Sequence, residues 1–384
     1  MNKSLTWLYL LSAGVYFTQG IEGLHDSAIF FYFKETLNLT PSQIMYIGSL
    51  VGLAWLVKPL IGWIIDFFKI SKRFWIVGSL IISILISLMM GTAAFLALPL
   101  LILGLFITKS NAAIRDVAND GQMCIMGKKY EITGAIQAVQ WIALTIASVL
   151  TGVAGGWIAE NFNYQVAFLS LLPFYIIVGL LAWFYKEETP KEKKQFSLMA
   201  TLKALFTNKD LLLVSAFLFL YNFSPSFGTP LSFVQRDEFH FSKIYMGWLE
   251  TLGSLANIIG AILYWKFSKK LDMNKALYYS VFVGAITTLG YLYYTPTTVV
   301  VYDILNSIIG MFILLMTLDF AARKTQTGLE AVSFAMLCSV NNIASTCNSI
   351  VGAWLFPIVG LTPLIIISAF TTFLCLPVLK KIKF

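Results

Sequence analysis

The sequence predicts an all-α integral membrane protein of twelve transmembrane helices, arranged as two pseudo-symmetric six-helix bundles. Three observations predict it. Of 384 residues, 58% are hydrophobic and only 12% charged, with a mean hydropathy of +0.78, a composition that soluble domains do not have. The apolar stretches are long enough to cross a bilayer, which takes about 20 residues per helix. Segments of the first half also return in the second at a nearly constant offset.

The spans fall, in order, at residues 5–33, 42–68, 74–92, 95–120, 132–158, 164–185, 209–234, 243–266, 274–294, 297–321, 328–354 and 361–379. The first is entered through Met1–Leu5 with a single Lys and continues past Glu22 and Asp26. That is unlike a cleavable leader, which has a short apolar core and a small-residue cleavage site. In the second span Lys58 precedes Pro59; a mid-helix Pro frees a carbonyl and bends the helix. The seventh carries Asn222-Phe223-Ser224-Pro225-Ser226-Phe227-Gly228-Thr229-Pro230 and must unwind or kink there. Broken helices of this kind are expected to offer backbone groups to a ligand.

The repeat is legible in two places. Residues 146–157 (Ile-Ala-Ser-Val-Leu-Thr-Gly-Val-Ala-Gly-Gly-Trp) resemble residues 343–354 (Ile-Ala-Ser-Thr-Cys-Asn-Ser-Ile-Val-Gly-Ala-Trp) at an offset of 197. Tyr46–Leu50 resembles Tyr245–Leu249 at an offset of 199, a register that sets Lys58 opposite Asn257. A weaker match sets Asp116-Val117-Ala118 against Asp319-Phe320-Ala321. The division expected is therefore a bundle at 1–185, a charged linker at 186–209 and a second bundle at 210–384. Within the linker, Ser197–Phe206 has helical apolar spacing suited to a membrane surface.

The distribution of charge sets the topology. With the N-terminus inside, 21 of the 27 Lys and Arg residues fall in cytoplasmic segments, and only Lys34, Arg236 and Lys243 fall outside. The positive-inside rule then places both termini in the cytoplasm. The net charge of +8 thus reads as membrane orientation, and nothing in the pattern calls for nucleic acid. Cys124, Cys338, Cys347 and Cys375 show no metal or redox spacing. No GxxxxGK[ST] loop is present for ATP-driven pumping. No cofactor or metal is expected, and nothing in the sequence demands an oligomer.

The remaining three cations, Lys58, Lys109 and Arg115, lie inside apolar spans. An intramembrane charge costs several kcal/mol unless it is paired or lines a wet cavity, so each is a functional candidate. Glu22 and Asp26 share a helical face, with His25 beside them. One reading is a cavity-facing proton site; the other is a buried acid–His bond that fixes the helix. Lys58 either binds an anionic solute or makes a structural ion pair with Asp26 or Asp116. Asp116 and Asp120, four residues apart, are unfavourable as two ionised acids unless a cation intervenes or one holds a proton. Asp116 is read as the proton site, whereas Asp120, near the expected end of its span, is read as a latch with Arg73. Arg115 presents a fork suited to a carboxylate, or pairs with a neighbouring helix. Asn222, Phe227, Asn257, Asp303 and the pair Asn341–Asn342 extend the polar lining into the second half. Trp55, Trp141 and Phe227 are positioned to stack on a planar ring.

Gly62-Trp63-Ile64-Ile65-Asp66-Phe67-Phe68-Lys69-Ile70-Ser71-Lys72-Arg73 resembles the signature loop between helices 2 and 3 of the major facilitator superfamily. The resemblance implies that Asp66 and Arg73 pair at the cytoplasmic face as gating residues. Tyr16–Gly20, Leu37–Pro41, Trp55–Gly62, Asp116–Gly121 and Ile136–Trp141 further resemble successive signatures of the folate–biopterin transporter family. Ala54 stands where that family carries Pro, and Ile65 where it carries Ser. The resemblance covers roughly residues 15–157, Gln137 included; the second half is similar only to facilitators in general.

The resemblance implies a monomeric secondary transporter of the plasma or inner membrane that alternates access between the two faces and takes up a folate- or pterin-like planar anion. Its carboxylates would meet Lys58, Lys109 or Arg115, and protons would bind at Glu22, Asp26 or Asp116. In facilitators helices 1, 4, 7 and 10 line the cavity, and the strongest polar clusters here fall on those four spans. A facilitator-fold exporter of drugs or amphipathic lipids shares this physics. A polytopic membrane enzyme or receptor would need a metal cluster, nucleophile dyad or soluble domain, and none is legible.

Overall fold

The computed structural model describes residues 3–68, 70–93, 97–130, 132–187, 206–324 and 330–382. Among them the regular structure is helical. The first span is α1 (Lys3–Ile21) and α2 (Gly23–Phe31), interrupted at Glu22. The second is α3 (Pro41–Leu56) and α4 (Lys58–Phe67), which part at Val57 because Pro59 cannot continue the ladder. Then follow α5 (Lys72–Thr92), α6 (Leu98–Tyr130), α7 (Thr133–Asn161), α8 (Tyr164–Ser170) and α9 (Leu172–Phe184). The second half has α10 (Lys209–Asn222), α11 (Gly228–Asp237), α12 (Lys243–Phe267), α13 (Met273–Gly290), α14 (Val299–Arg323), α15 (Glu330–Val359), α16 (Leu361–Thr371) and α17 (Leu376–Leu379).

Ten continuous stretches among the described residues are long and apolar enough to span a bilayer. The two expected spans missing from that set are the first and the seventh, and both are broken helices. Counting each broken pair as one crossing gives the twelve helices of the predicted fold class. Apolar side chains such as Leu85, Ile142, Ile177 and Ile286 are left exposed on the helix surfaces. In water they would form an aggregating patch; in a bilayer they face hydrocarbon.

The chain divides into two compact units. One comprises Met1–Asn38, Leu50–Gln195 and Ser242–Thr251; the other comprises Leu39–Ser49, Phe196–Phe241 and Leu252–Phe384. In the first, α1 lies tightly on α7. A Cβ at Gly20 would fall 2.6 Å from Ala147 Cβ and 2.8 Å from the Leu144 carbonyl oxygen, so glycine is what allows the approach. The core of the second gathers Phe217, Leu277, Met316, Phe320, Leu337 and Cys375. The predicted surface helix at Ser197–Phe206 lies almost wholly outside the described residues.

The break of the seventh span runs through Phe223–Phe227 and is held by α15. Asn348 accepts from Ser224 N–H through Oδ1 (2.9 Å), takes Ser226 N–H on its own carbonyl (3.0 Å), and donates Nδ2 to the Asn222 carbonyl (2.9 Å). Ser368 Oγ donates to the Pro225 carbonyl. Gly352 makes this possible, because any Cβ there would collide with the Ser226 backbone. This corrects one expectation: four of the backbone groups freed at the break, the Ser224 and Ser226 N–H and the Asn222 and Pro225 carbonyls, are satisfied by α15 and α16 rather than offered to a ligand, since an unpaired amide in hydrocarbon costs several kcal/mol. Asn348→Ala strands the Ser224 N–H and the Asn222 carbonyl. It is expected to destabilise the protein by about 2 kcal/mol, the cost of buried unsatisfied groups, read as a lowered unfolding temperature in detergent micelles. An unchanged unfolding temperature would mean that the break is held by something else.

Candidate functional site

The polar residues of α1 and α2 recur at Ser12, Tyr16, Gln19, Glu22 and Asp26, a spacing of three or four that keeps them on one face of a helical span. On α6 they form two stripes. Lys109, Asp116 and Asp120 lie on one, while Thr108, Asn111, Arg115, Asn119 and Gln122 lie on the other and are fully buried. From Tyr16 onward partner numbers fall on α6 as they rise on α1 and α2, the mark of antiparallel packing. Ser12 Oγ donates to Asn119 Oδ1 (3.1 Å), Tyr16 OH to Asp120 Oδ1 (3.1 Å) and Gln19 Nε2 to Asp116 Oδ1 (2.7 Å). Further along, Glu22 pairs with Arg115 and Asp26 with Lys109 (3.0 Å). The arrangement is a ladder of polar rungs inside the first unit.

The rungs differ in accessibility. Arg115 is 0% exposed and the Glu22 side chain 2%. The guanidinium also donates to Thr18 Oγ1 (3.1 Å) and Ser83 Oγ (3.3 Å) and stands over the Tyr175 ring, whose hydroxyl donates to Glu22 (2.9 Å). Every strong donor of Arg115 is thus turned inward among protein groups. Arg115, expected to bind a solute, and Glu22, expected to carry a proton, meet in this structure as a buried, mutually neutralising pair. His25 is likewise buried, stacked on Phe168 at 4.6 Å.

Lys58 and Asp116 form a different kind of rung. Lys58 Nζ lies 2.5 Å from Asp116 Oδ2 and 4.4 Å from the centre of the Trp55 ring. Asp116 is 4% exposed but Lys58 is 26% exposed, so the ammonium is the reachable partner. The break at Val57 puts Trp55 and Lys58 on successive turns at the bend. Asp26 is more open still, at 53%, and holds Lys109.

Asp120 makes no latch with Arg73. Its Oδ1 accepts from Tyr16 OH and from Gln140 Nε2 (3.2 Å), while Arg73 donates Nη1 to the Tyr185 carbonyl (2.8 Å). The reason is the direction of the side chain: α6 runs on past it to Tyr130, and the next residue, Gly121, lies against Lys72 beside Arg73, whereas Asp120 itself turns to α1 and α7. Among the described residues, the three intramembrane cations thus meet three carboxylates, Glu22, Asp26 and Asp116, and Asp120 is left with neutral donors. Tyr16, Gln19 and Gln140 were missed as site residues, although the polar spacing along α1 was the signal for the first two.

The side chains of Asp66 and Gln137 lie outside what the structure describes. Trp141 is exposed and Asn257 half-buried, and neither joins the ladder. In the second unit Asn222 donates to Asn341 Oδ1 (3.0 Å), a contact between the broken helix and α15. Phe227 packs edge-on against Tyr291 (5.2 Å), and Asp303 meets Tyr294 OH (3.1 Å).

Comparison with known proteins agrees with this architecture. Residues 5–332 match the family model described as the Major Facilitator Superfamily. The chain is 26% identical to a folate-biopterin transporter of Synechocystis sp. over 99% of its own length and 82% of the relative's. It is 23% identical to probable folate-biopterin transporter 4 of Arabidopsis thaliana, covering 93% of this chain and 89% of that one. It is also 23% identical to folate transporter 1 of Plasmodium falciparum, covering 92% and 74%. Among solved structures, a nucleoside transporter superimposes with a TM-score of 0.76 at 15% identity over 100% of both chains. A D-xylose–proton symporter does so with 0.76 at 12% identity over 99% and 97%. Ten apolar spanning helices among the described residues, a polar ladder inside the first unit and a family match across most of the length lead to one conclusion: the chain belongs to the Major Facilitator Superfamily and is a multi-pass membrane transporter.

Proposed function

We propose that this transporter takes up a folate- or pterin-like planar anion together with protons, by alternating access between halves at 1–185 and 210–384, with both termini in the cytoplasm. The observation that carries the proton part is the charge imbalance of the ladder. Asp116 and Asp120 stand one helical turn apart with a single lysine, which sits on Asp116, and two such carboxylates are far more stable with one proton shared. Lys58 and Lys109, 26% and 20% exposed, are the cations that a solute carboxylate can reach, and Trp55 beside Lys58 offers a ring face to a planar solute.

Coupling follows from competition for Lys58. An incoming carboxylate takes the ammonium from Asp116. Asp116 then stays buried without its cation, which is tolerable only in the neutral form. A proton drawn from outside through Asp120 supplies that neutrality, so anion and proton enter together. The folate or pterin class is supported by the relatives' names and by the resemblance of the first half; Lys58 and Trp55 are the chemistry that such a solute would use.

Uptake of labelled folate into proteoliposomes, with and without an acid-outside gradient, tests the proposal. One coupled proton converts each pH unit into about 1.4 kcal/mol, or about ten-fold accumulation. Asp120→Asn is expected to abolish that accumulation while leaving folate counterflow in place. Gradient-driven accumulation that survives in Asp120→Asn would remove Asp120 from coupling. No folate transport by the folded wild-type protein would overturn the substrate class.

A further inference from the structure

One end of the second unit carries a cleft that the transport cycle above does not use. Its floor is the edge of the core: Leu379 and Ile382 are buried and belong to the same cluster as Met273 and Leu277. Its walls are polar. Lys275, Tyr278 and Tyr279 come from the first two turns of α13 and Lys380 from the turn that follows α17, around a volume of about 380 Å³. Lys380 is fixed there rather than carried on a loose tail. Buried Leu379 and Ile382 bracket it and Lys381, and the backbone between them is tied down. Lys380 N–H donates to the Leu376 carbonyl (3.2 Å), Lys381 N–H to Val378 (3.0 Å) and Ile382 N–H to Leu379 (3.1 Å).

The charge of the cleft is one-sided. The neighbouring acid is Asp272, which caps α13 by accepting from Lys275 N–H and lies 3.6 Å from Lys275 Nζ. Both side chains are well exposed, and an ion pair of that kind is weak. Lys380 meets no carboxylate within ion-pair distance among the described residues. An anion in the cleft would therefore be held by the two ammonium groups, with the tyrosine hydroxyls as neutral donors beside them.

Towards the bilayer the cleft continues as an aromatic line. Ring centres run from Tyr278 to Phe282 (5.4 Å), to Phe373 (5.3 Å) and to Phe370 (6.2 Å). Phe370 and Leu374 are exposed, as is Ile286 on α13, so this line lies on the surface that faces hydrocarbon. Tyrosines mark the level of the headgroups, and a basic pocket between helix ends at that level suits an anionic head. A zwitterionic head would bring its own cation against two ammonium groups. A soluble anion would leave the aromatic line uncovered.

We propose that this cleft binds the headgroup of an anionic phospholipid, with Lys275 and Lys380 on the phosphate and an acyl chain along Phe282, Phe373 and Phe370. On the orientation proposed above, it opens to the cytoplasmic leaflet, whose surface potential is negative. None of its residues belongs to the polar ladder, so the site stands whatever the transported solute is.

Native mass spectrometry of the full chain in detergent micelles, titrated with phosphatidylglycerol or with phosphatidylcholine, tests the proposal. At about five-fold in affinity per lysine, the wild type is expected to retain one phosphatidylglycerol about 25-fold more tightly than phosphatidylcholine. Lys275→Gln/Lys380→Gln is expected to erase that preference, and Lys275→Arg/Lys380→Arg to keep it. Lys266→Gln/Lys270→Gln removes the same charge from exposed lysines outside the cleft and is expected to keep it as well. Glycerol phosphate, the head without its chains, is expected to compete only weakly. Equal retention of the two lipids by the wild type overturns the proposal. So does an equal loss in the Lys266/Lys270 variant, because diffuse charge and not the cleft would then hold the lipid. Competition by glycerol phosphate at the affinity of the lipid overturns it too, and makes the ligand a soluble phosphate.

Discussion

Arg115→Met is expected to destabilise the first unit by about 3–5 kcal/mol, the cost of breaking one side of a buried ion pair. The residue it abandons is Glu22, whose side chain is 2% exposed and which would keep only the Tyr175 hydroxyl. With total stabilities of roughly 5–15 kcal/mol, a loss on this scale should show as poor recovery of monodisperse protein and a sharply lowered unfolding temperature. The double variant Arg115→Met/Glu22→Leu removes both charges and replaces them with apolar side chains. It should recover most of the lost stability, because a well-packed apolar pair replaces a buried ion pair at little or no cost. Transport should return with it. A stable Arg115→Met protein would show that Glu22 does not depend on the guanidinium. A stable double variant that cannot bind folate would return Arg115 to the substrate site.

The second large effect is expected at Lys58, where the opposite pattern should hold. Lys58→Met leaves Asp116 buried with the Gln19 amide still donating to it. The protein should fold, but folate uptake should fall by about 100-fold or more, in line with the 2–5 kcal/mol lost when one member of a buried hydrogen-bonded charge pair is truncated. Lys58→Met/Asp116→Asn repairs the charge balance and should leave uptake just as low, since the group that meets the solute anion is still missing. The contrast between the two double variants separates an ion pair that only holds helices together from one that exchanges partners during transport. Uptake restored in the Lys58/Asp116 double variant would place this pair with Arg115 and Glu22 as structure.

The sequence went further on helices than on contacts. The break of the seventh span was legible because Pro225, Gly228 and Pro230 cannot all sit in a continuous helix, and the bend at Val57 because Pro59 follows it. The inward stripes on α1 and α6 were legible for the same reason, since residues three or four apart must share a face. Pairing was not. The helical period says nothing of how two helices slide or rotate against each other; the register of α1 and α2 on α6 joined Glu22 to Arg115, and that of α4 on α6 joined Lys58 to Asp116. Helix ends were the other weak point. Nothing in Gly121–Tyr130 forces α6 to continue, because its hydropathy falls there while its helical propensity does not. Asp120 meanwhile turns to Tyr16 and Gln140, although the adjoining Gly121 lies against Lys72.

Asn348 illustrates the limit from the second half. It reads as one more small polar residue in the repeat, Ile343–Trp354, with no mark of its own. Its role exists only because the unwound backbone at Ser224 and Ser226 passes within hydrogen-bond distance of α15, with Gly352 as the clearance.

By itself, the sequence determined the solvent of this protein, its twelve crossings, the places where they break and which polar residues face inward. These follow from local properties: transfer free energy, helical period and the geometry of proline. The tertiary structure alone decided which charges are silent and which are reachable. Arg115 and Lys58 are equally conspicuous in the chain, but one is sealed among four partners and the other stands beside Trp55 at a bend. Only the packing of distant helices creates that difference, because the free energy of an intramembrane charge is set by the groups that surround it.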